Sequence, residues 1–217
     1  MKQSPLFVLS FIICISLLCA CGSGRSDTDQ TLTQADSIAL SVGKQAIRGL
    51  QKFSINDKQG NTLVSFDLGE AEYVIRFRDR VLMGQRKTGK TTYLDNNGDL
   101  LIIAKIRPDK IKLLSGTEEF RWQAKIKDQK VKISKDPEGA NPFEIKQQDP
   151  NHYFIYFEGR ELGKTKYKER IIDVDGIGTD LKIPATNNSF AFGLLLLRDI
   201  PEVERYILMA ELLGMGI

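Results

Sequence analysis

The feature that most constrains the fold is a repeat that occupies most of the chain. From Leu63 to Gly178 the sequence divides into six blocks of about 18 to 22 residues, each with a short run, a polar turn, a second run and another turn. The stretches AKIRPDKIKLLSG, from Ala104, and AKIKDQKVKISKD, from Ala124, align almost residue for residue. Self-similarity at a fixed period is typical of repeated supersecondary units.

Each block is predicted to be a β-hairpin. In FRWQAKIK, from Phe120 to Lys127, apolar and polar residues alternate, and this period of two indicates a half-buried strand. Turn-forming stretches such as DNNGD, RPDK, DPEG and DVDG separate the runs and leave no room for long helices. We therefore predict a mainly β fold of about twelve antiparallel strands in six hairpins. Closure into a barrel would remove the exposed edges of such a sheet.

The most apolar segment of the body lies near its carboxyl end, in SFAFGLLLLRD. A helix that is apolar all round is buried or spans a membrane, and this one is too short to span. We predict that it fills the barrel as a core helix through Phe190, Phe192, Leu194, Leu195, Leu196 and Leu197. Pro201 and the acidic residues after it indicate the start of a second helix. The alternative is a helix docked on the outside of a sandwich.

Twelve strands in hairpin order followed by a strongly apolar helix resemble the tubby-like superfamily, in particular its LURP-one-related and phospholipid scramblase-like branch. The similarity is carried by the strand-turn-strand pattern, the turns DNNGD and DVDG, and FGLLLL as the central helix. It covers about residues 52–217 and includes no catalytic motif. The resemblance implies a closed barrel around a central helix.

The amino-terminal leader predicts export. Lys2 precedes an apolar run from Leu6 to Leu18, which has the length and flanks of a signal peptide. The stretch LCAC resembles the bacterial lipobox, which implies that residues 1–20 are removed and that Cys21 carries a lipid such as palmitate. Residues 21–35 are rich in Gly, Ser and Thr, as in a flexible tether. The alternatives are an ordinary secretory signal and an uncleaved anchor.

Residues 36–217 are predicted to form one domain in the bacterial cell envelope, facing the periplasm or the exterior. Gly22 follows Cys21, in place of the Asp that is associated with inner-membrane retention in some bacteria. An outer-membrane location is therefore permitted. The segment from Asp36 to Phe53 is predicted to be an amphipathic helix leading into the barrel, with a membrane-surface helix as the alternative.

The residue inventory argues against catalysis. Cys14, Cys19 and Cys21 all lie in the leader, and His152 is the one histidine of the chain. This leaves too few residues for a thiolate site, a histidine metal site or a Ser-His-Asp triad. We therefore expect a non-enzymatic protein without a cofactor or a metal.

One sequence motif instead resembles a nucleotide-binding site. Gly84 to Thr91 reads G-x-x-x-x-G-K-T, the pattern of a phosphate-binding loop. Such a loop requires a helix directly after the lysine, whereas TTYLDNNG follows Lys90 and favours a strand and a turn. We interpret the stretch as a hairpin tip, and nucleotide binding remains a remote alternative.

Basic residues are concentrated in the third and fourth blocks, although the formal net charge of the chain is only +3. They are Lys105, Arg107, Lys110, Lys112, Arg121, Lys125, Lys127, Lys130 and Lys132. Most alternate with apolar residues, which predicts that they share the outward face of adjacent strands. The simplest interpretation is a solvated face; the functional one is a surface for anionic lipid or another anionic partner, such as an envelope protein. Nucleic acid is not expected as a partner of an exported protein.

Overall fold

A computed structural model describes residues 51–217 of the chain. The predicted leader, Cys21, the tether and residues 36–50 of the predicted helix lie outside the described residues. The part that is described contains fourteen β-strands. They are β1 Gln51–Asn56, β2 Thr62–Leu68, β3 Glu72–Phe77, β4 Arg80–Lys87, β5 Lys90–Leu94, β6 Leu100–Arg107, β7 Lys110–Ser115, β8 Phe120–Lys127, β9 Lys130–Ser134, β10 Phe143–Asp149, β11 His152–Phe157, β12 Arg160–Lys168, β13 Ile171–Gly176 and β14 Thr179–Pro184.

The six sequence blocks form strands β2 to β13, and each block supplies two of them. The prediction of about twelve strands is wrong because one strand is added at each end of the repeat. Residues 51–53, predicted as the end of a helix, belong to β1, where Phe53 and Ile55 lie opposite Phe66 and Val64 of β2. The apolar residues of β1 alternate, and pairing with β2 makes this short alternation a strand.

All strands are antiparallel, and each is hydrogen-bonded to its neighbours in the sequence. The sheet curls into a nearly closed barrel in which β1 and β14 come into contact. Within residues 51–217, no backbone hydrogen bond joins these two strands. We call this line of contact the seam. It is bridged by Lys58, whose Nζ lies 2.6 Å from Asp180 Oδ2.

Two helical segments follow the sheet. The predicted apolar segment is a 3₁₀ helix, Phe190–Leu196, rather than an α-helix, and its residues are at most 8% exposed. Ser189 caps it, since its Oγ accepts a hydrogen bond from the Ala191 amide at 3.1 Å. The second segment is helix α1, Glu202–Met215, which begins after Pro201 as predicted. With roughly three residues per turn, a 3₁₀ helix directs side chains to three sides, which suits a segment buried all round.

Gly193 allows the 3₁₀ helix to lie close to the sheet. A Cβ atom at this position would be 3.0 Å from Ile145 Cδ1 and 3.2 Å from Ile155 Cγ1. Both distances are shorter than ordinary van der Waals contacts, so a methyl group here would require the Ile145 and Ile155 side chains to shift by a few tenths of an ångström. Glycine avoids this crowding.

Aromatic contacts join both helical segments to the buried face of the sheet. The ring of Tyr206, in α1, lies 5.0 Å from that of Phe77 and 6.3 Å from that of Phe66. In the 3₁₀ helix, the Phe190 ring lies 4.7 Å from the Tyr153 ring in an edge-to-face arrangement. Such pairs add about 0.5–1.5 kcal/mol each beyond the apolar area that they bury. Strands from both halves of the sheet therefore share one core with the helices.

The core also contains a polar group of four side chains, which we call the carboxyl cluster: Tyr73, Thr91, Tyr93 and Glu211. Glu211 is 1% exposed, and its Oε1 accepts a hydrogen bond of 2.7 Å from the Tyr93 hydroxyl. Glu211 Oε2 and the hydroxyls of Tyr73 and Thr91 have no hydrogen-bond partner within residues 51–217. Burial raises the pKa of the Glu211 carboxyl, against the opposing effect of the Tyr93 hydrogen bond.

Candidate functional site

The nine basic residues predicted from the sequence lie on β6, β7, β8 and β9, four adjacent strands. Their side chains are exposed or half-buried, whereas the residues that alternate with them, such as Ala104, Ile111 and Ala124, are buried. The predicted alternation is therefore confirmed. We call the outward surface of these four strands the basic face.

The strand register places four of these residues in one row. Arg107 lies opposite Lys110, Lys110 opposite Lys125, and Lys125 opposite Lys132. Shorter rows flank it, since Lys105 lies opposite Lys112 on one side and Lys127 opposite Lys130 on the other. Residues directly opposite each other have Cβ atoms about 4.5–5.5 Å apart, and like charges at this distance are destabilising. The fold therefore holds several positive charges close together.

The charges of the basic face are poorly compensated within the described chain. Of its nine residues, three have a carboxylate oxygen within 4.0 Å: Lys105, Arg121 and Lys132. Two of these contacts, at 3.9 Å and 4.0 Å, are too long for a hydrogen bond. The third is short, because Lys132 Nζ lies 2.8 Å from Glu144 Oε1. The other six residues have no ion pair within residues 51–217.

The pKa shifts agree with this geometry. Burial, and then the charges of Lys125, Lys112 and Arg107, lower the pKa of the Lys110 ammonium. On the neighbouring strand β10, hydrogen bonds from Lys132 and then Lys146 lower the pKa of the Glu144 carboxyl to about 2. Glu144 therefore ends the row with a compensated charge, whereas the positive charges at the centre of the row repel one another.

One feature of this face was not predictable from the strand pattern. Gln123 alternates with the outward basic residues, yet it is 1% exposed because the β9–β10 loop lies over it. Its Nε2 donates to the carbonyl oxygens of Asp136 at 2.7 Å and Pro137 at 2.9 Å. Lys125 Nζ donates to the Glu138 carbonyl in the same loop at 3.3 Å. The loop thus covers one side of the basic face and leaves the rest open.

The register also adds lysines that the sequence analysis did not select. Lys87 lies opposite Lys90, and Lys90 opposite Lys105, which extends a flanking row onto β4 and β5. Lys146 lies opposite Lys130 on β10. These lysines alternate with inward-facing residues on strands next to the selected blocks, so the sequence did contain a signal for them. Using that signal required the order of the strands in the sheet.

The phosphate-loop pattern forms a hairpin, as predicted. Gly84 lies in β4, Thr88 and Gly89 form the turn, and β5 begins at Lys90. A Cβ atom on Gly84 would lie 2.7 Å from Tyr93 Cε1, so this glycine makes room for a buried aromatic ring. Thr91 is fully buried and faces the core. The backbone geometry here is that of two paired strands, without a helix amino terminus after Lys90.

The other predicted site residues fall in two groups. Cys21, the expected lipidation site, lies outside the described residues. Phe190, Phe192 and Leu194 to Leu197 all belong to the buried core. In residues 51–217, no helix has the length and apolarity needed to cross a bilayer, and no group of three acidic, cysteine or histidine side chains could hold a metal ion.

Comparisons with known proteins add little. No protein-family model matches the chain, and no curated protein matches it. Among solved structures, the X-ray structure of a protein from Arabidopsis thaliana is similar, with 18% identity over 54% of this chain and 88% of that one, and a TM-score of 0.31. A similarity of this size carries no inference about fold or function.

Proposed function

We propose that this protein is a membrane-anchored, non-enzymatic lipoprotein of the bacterial envelope that binds an anionic surface, such as anionic lipid, through its basic face. The observation that carries the proposal is the row of Arg107, Lys110, Lys125 and Lys132, formed by register across four strands. An anionic partner would relieve the repulsion in this row. Each Lys or Arg near an anionic membrane contributes about 1 kcal/mol to binding.

The proposal includes an anchor at Cys21 and removal of residues 1–20. A lipid at Cys21 would hold the basic face beside a membrane and raise its effective concentration there. Mass spectrometry of the protein isolated from bacterial membranes tests this step. We expect a lipid-modified Cys21 at the mature amino terminus and, for Cys21→Ser, an unmodified chain in the soluble fraction. An unmodified wild-type chain would contradict the anchor.

The proposal also includes the finer arrangement of the fold, a closed barrel of tubby-like type with the carboxyl-terminal helices in its interior. Two observations support it: the seam brings β1 and β14 into contact, and the helices contact strands from both halves of the sheet. A closed wall would keep the outward face convex and rigid, so that the rows of the basic face keep their spacing.

Vesicle co-sedimentation of the chain from residue 22 onward tests binding without the anchor. We expect binding to phosphatidylglycerol vesicles, little binding to phosphatidylcholine vesicles, and loss with added salt. The variant Lys125→Gln/Lys127→Gln/Lys130→Gln/Lys132→Gln should bind at least tenfold more weakly. The control Lys164→Gln/Lys166→Gln/Lys168→Gln/Lys182→Gln removes the same charge from β12 and β14 and should bind as the wild type does. Equal losses in both variants would show that net charge alone drives binding.

A second candidate is a structural or assembly lipoprotein that uses the barrel as a scaffold for protein contacts. The covered Gln123 and its loop favour it, because they give the basic face a shaped border. Salt-independent pull-down of one envelope protein, unaffected by the four Lys→Gln changes, would support this candidate instead.

The remote alternative is nucleotide binding through Gly84 to Thr91. The hairpin geometry and the buried Thr91 count against it, because neither leaves backbone amides free to surround a phosphate. A change in nucleotide binding on Lys90→Ala would revive it.

A further inference from the structure

A cavity of about 930 Å³ lies at one end of the seam, on strands far along the sheet from the basic face. Its walls come from the β1–β2 turn, the β13–β14 turn and the connection between the 3₁₀ helix and α1. Cavities of about 300–1,000 Å³ are of the size that holds small ligands. The lining combines apolar side chains, including Leu63, Leu195 and Ile200, with three guanidinium groups.

The three guanidinium groups belong to Arg78, Arg198 and Arg205. Arg205 is 9% exposed, and its Nε has no hydrogen-bond partner within residues 51–217. Its Nη2 lies 3.7 Å from Glu202 Oε1, which is too long for a hydrogen bond. That oxygen already accepts a hydrogen bond of 3.1 Å from Arg78 Nη2. The Glu202 carboxylate is therefore shared between two guanidinium groups, and an anion in the cavity would supply a second negative charge for them.

Arg198 is the third cation, and it bonds only neutral groups of the described chain. Its Nη2 donates to the carbonyl of Gly178 and, at 3.0 Å, to Thr179 Oγ1. These contacts fix the guanidinium at the β13–β14 turn without neutralising it. The remaining guanidinium hydrogens are free to bind an anion in the cavity.

The carboxylates of the lining are mostly engaged elsewhere. Asp180 is paired with Lys58, and Asp57 accepts hydrogen bonds from the amides of its own turn. Glu202 accepts a hydrogen bond from Arg78 and forms an ion pair with it, and Asp175 lies on β13 opposite Asp180. The lining therefore contains four cations and four carboxylates, and among these cations Arg198 has no carboxylate oxygen within 4.0 Å in the described chain.

The amino terminus of α1 also borders the cavity, through Pro201 and Glu202. Pro201 is its N-cap and supplies no side-chain hydrogen bond, so the amides of the first turn are not capped. The helix dipole also favours an anion at this terminus. Guanidinium forks and free helix amides together match the oxygen atoms of a phosphate group.

We infer that the cavity at the seam binds a phosphate group, carried by a small molecule whose apolar part contacts Leu63 and Leu181. This site is separate from the basic face and does not rest on the proposed function. Its phosphate could belong to a lipid headgroup or to a free phosphate or small phosphate ester.

Calorimetric titration of the full-length chain in non-ionic detergent tests the inference. The probes are inorganic phosphate and dihexanoyl phosphatidic acid, each at a constant ionic strength set with chloride. We expect binding that weakens at least tenfold, or about 1.4 kcal/mol, in Arg205→Gln and in Arg198→Gln. Arg76→Gln is the control: it removes an exposed arginine two residues from Arg78 that does not line the cavity, and it should bind as the wild type does.

The two probes distinguish the sources of the phosphate. Phosphatidic acid that binds at least tenfold more tightly than inorganic phosphate identifies a lipid headgroup, and equal affinities identify a free phosphate or small ester. Thermal denaturation of unliganded Arg205→Gln and Arg198→Gln checks that both variants fold. Absence of binding by either probe up to about 10 mM, or unchanged affinity in both arginine variants, overturns the inference.

Discussion

The 3₁₀ helix Phe190–Leu196 and helix α1 pack against the same face of the sheet, but they bury different chemistry. The 3₁₀ helix contributes phenylalanine and leucine side chains to a wholly apolar environment. Helix α1 buries Glu211 among the hydroxyls of Tyr73, Thr91 and Tyr93. The 3₁₀ helix contains no titratable side chain, so it should contribute no pH dependence to the free energy of unfolding. Helix α1 contains a buried titratable group, which should contribute such a dependence.

The largest effect is expected from placing a charge in the apolar region. Leu194 is fully buried, and Leu194→Asp would put a carboxylate where no partner is available. We expect a loss of more than about 4 kcal/mol, enough to prevent folding. Circular dichroism and urea denaturation measure it. The control is Ile177→Asp, at a position 85% exposed, which should change the free energy of unfolding by less than about 0.5 kcal/mol. A folded Leu194→Asp chain would show that the segment is not a core element.

The carboxyl cluster should also be sensitive to crowding. A Cβ atom on Gly214 would lie 1.7 Å from the Tyr73 hydroxyl oxygen, so Gly214→Ala forces that ring to move. We expect a loss of about 1–3 kcal/mol in the free energy of unfolding. Adding Tyr73→Phe removes the clashing oxygen and should restore part of the loss. A double-mutant cycle measures the coupling, and additive effects would mean that the two residues do not meet.

The pH dependence of stability separates the two regions most directly. The pKa of Glu211 is raised above its ordinary value of 4.5, so below that value both the folded and the unfolded chain hold the proton. As the pH rises above 4.5, the unfolded chain releases the proton first, and stability falls by at most about 1.4 kcal/mol per pH unit until the folded carboxyl titrates. Glu211→Gln should therefore remove this slope and be more stable than the wild type at high pH.

Denaturation at a series of pH values measures that slope. Glu204→Gln, a change at a half-exposed position of the same helix, is the control and should keep the wild-type slope. A wild-type profile identical to that of Glu211→Gln would mean that Glu211 titrates as it does in the unfolded chain.

The smallest effects are expected from two buried threonines. Thr165 and Thr91 are both fully buried with unpaired hydroxyls, but Thr91 belongs to the carboxyl cluster and Thr165 lies on β12, opposite Tyr153 and Val174. Thr165→Val should raise the free energy of unfolding by up to about 1 kcal/mol, because an unpaired polar group is replaced by a methyl. Thr91→Val should raise it less, since the carboxyl of Glu211 lies nearby. A larger gain at Thr91 would reverse the comparison. Thermal denaturation at a fixed pH resolves both changes.

Much of the fold could be predicted from alternation. Most of the strands β2 to β13 carry at least two apolar residues at a period of two between turn-forming residues, and this local pattern survives in the structure. Strands β1 and β14 were missed because they lie outside the six repeated blocks, although β14 alternates Leu181 and Ile183 before it ends at Pro184. Such segments become strands only through pairing with a neighbour, which a local pattern does not contain.

The candidate site could be predicted as a set of residues but not as a geometry. Alternation gave the outward side of the basic residues, whereas the row from Arg107 to Lys132 depends on the register of four strands. Burial of Gln123 depends on a loop from the next hairpin. The cavity at the seam joins turns that are more than a hundred residues apart, so nothing in the local sequence around Arg205 indicates it.

The order of pairing along the sheet has a consequence for how the chain assembles. Because every strand pairs only with its sequence neighbours, hairpins can be added one after another as the polypeptide emerges. The residues that cover the apolar face of these hairpins follow the strands in the sequence, from Phe190 onward. A nascent chain that ended before Phe190 would expose the aromatic and branched aliphatic side chains of this face to water. Such a chain would be prone to aggregate. Packing of the 3₁₀ helix and α1 onto the sheet is thus the step that removes the exposed apolar surface of an aggregation-prone intermediate.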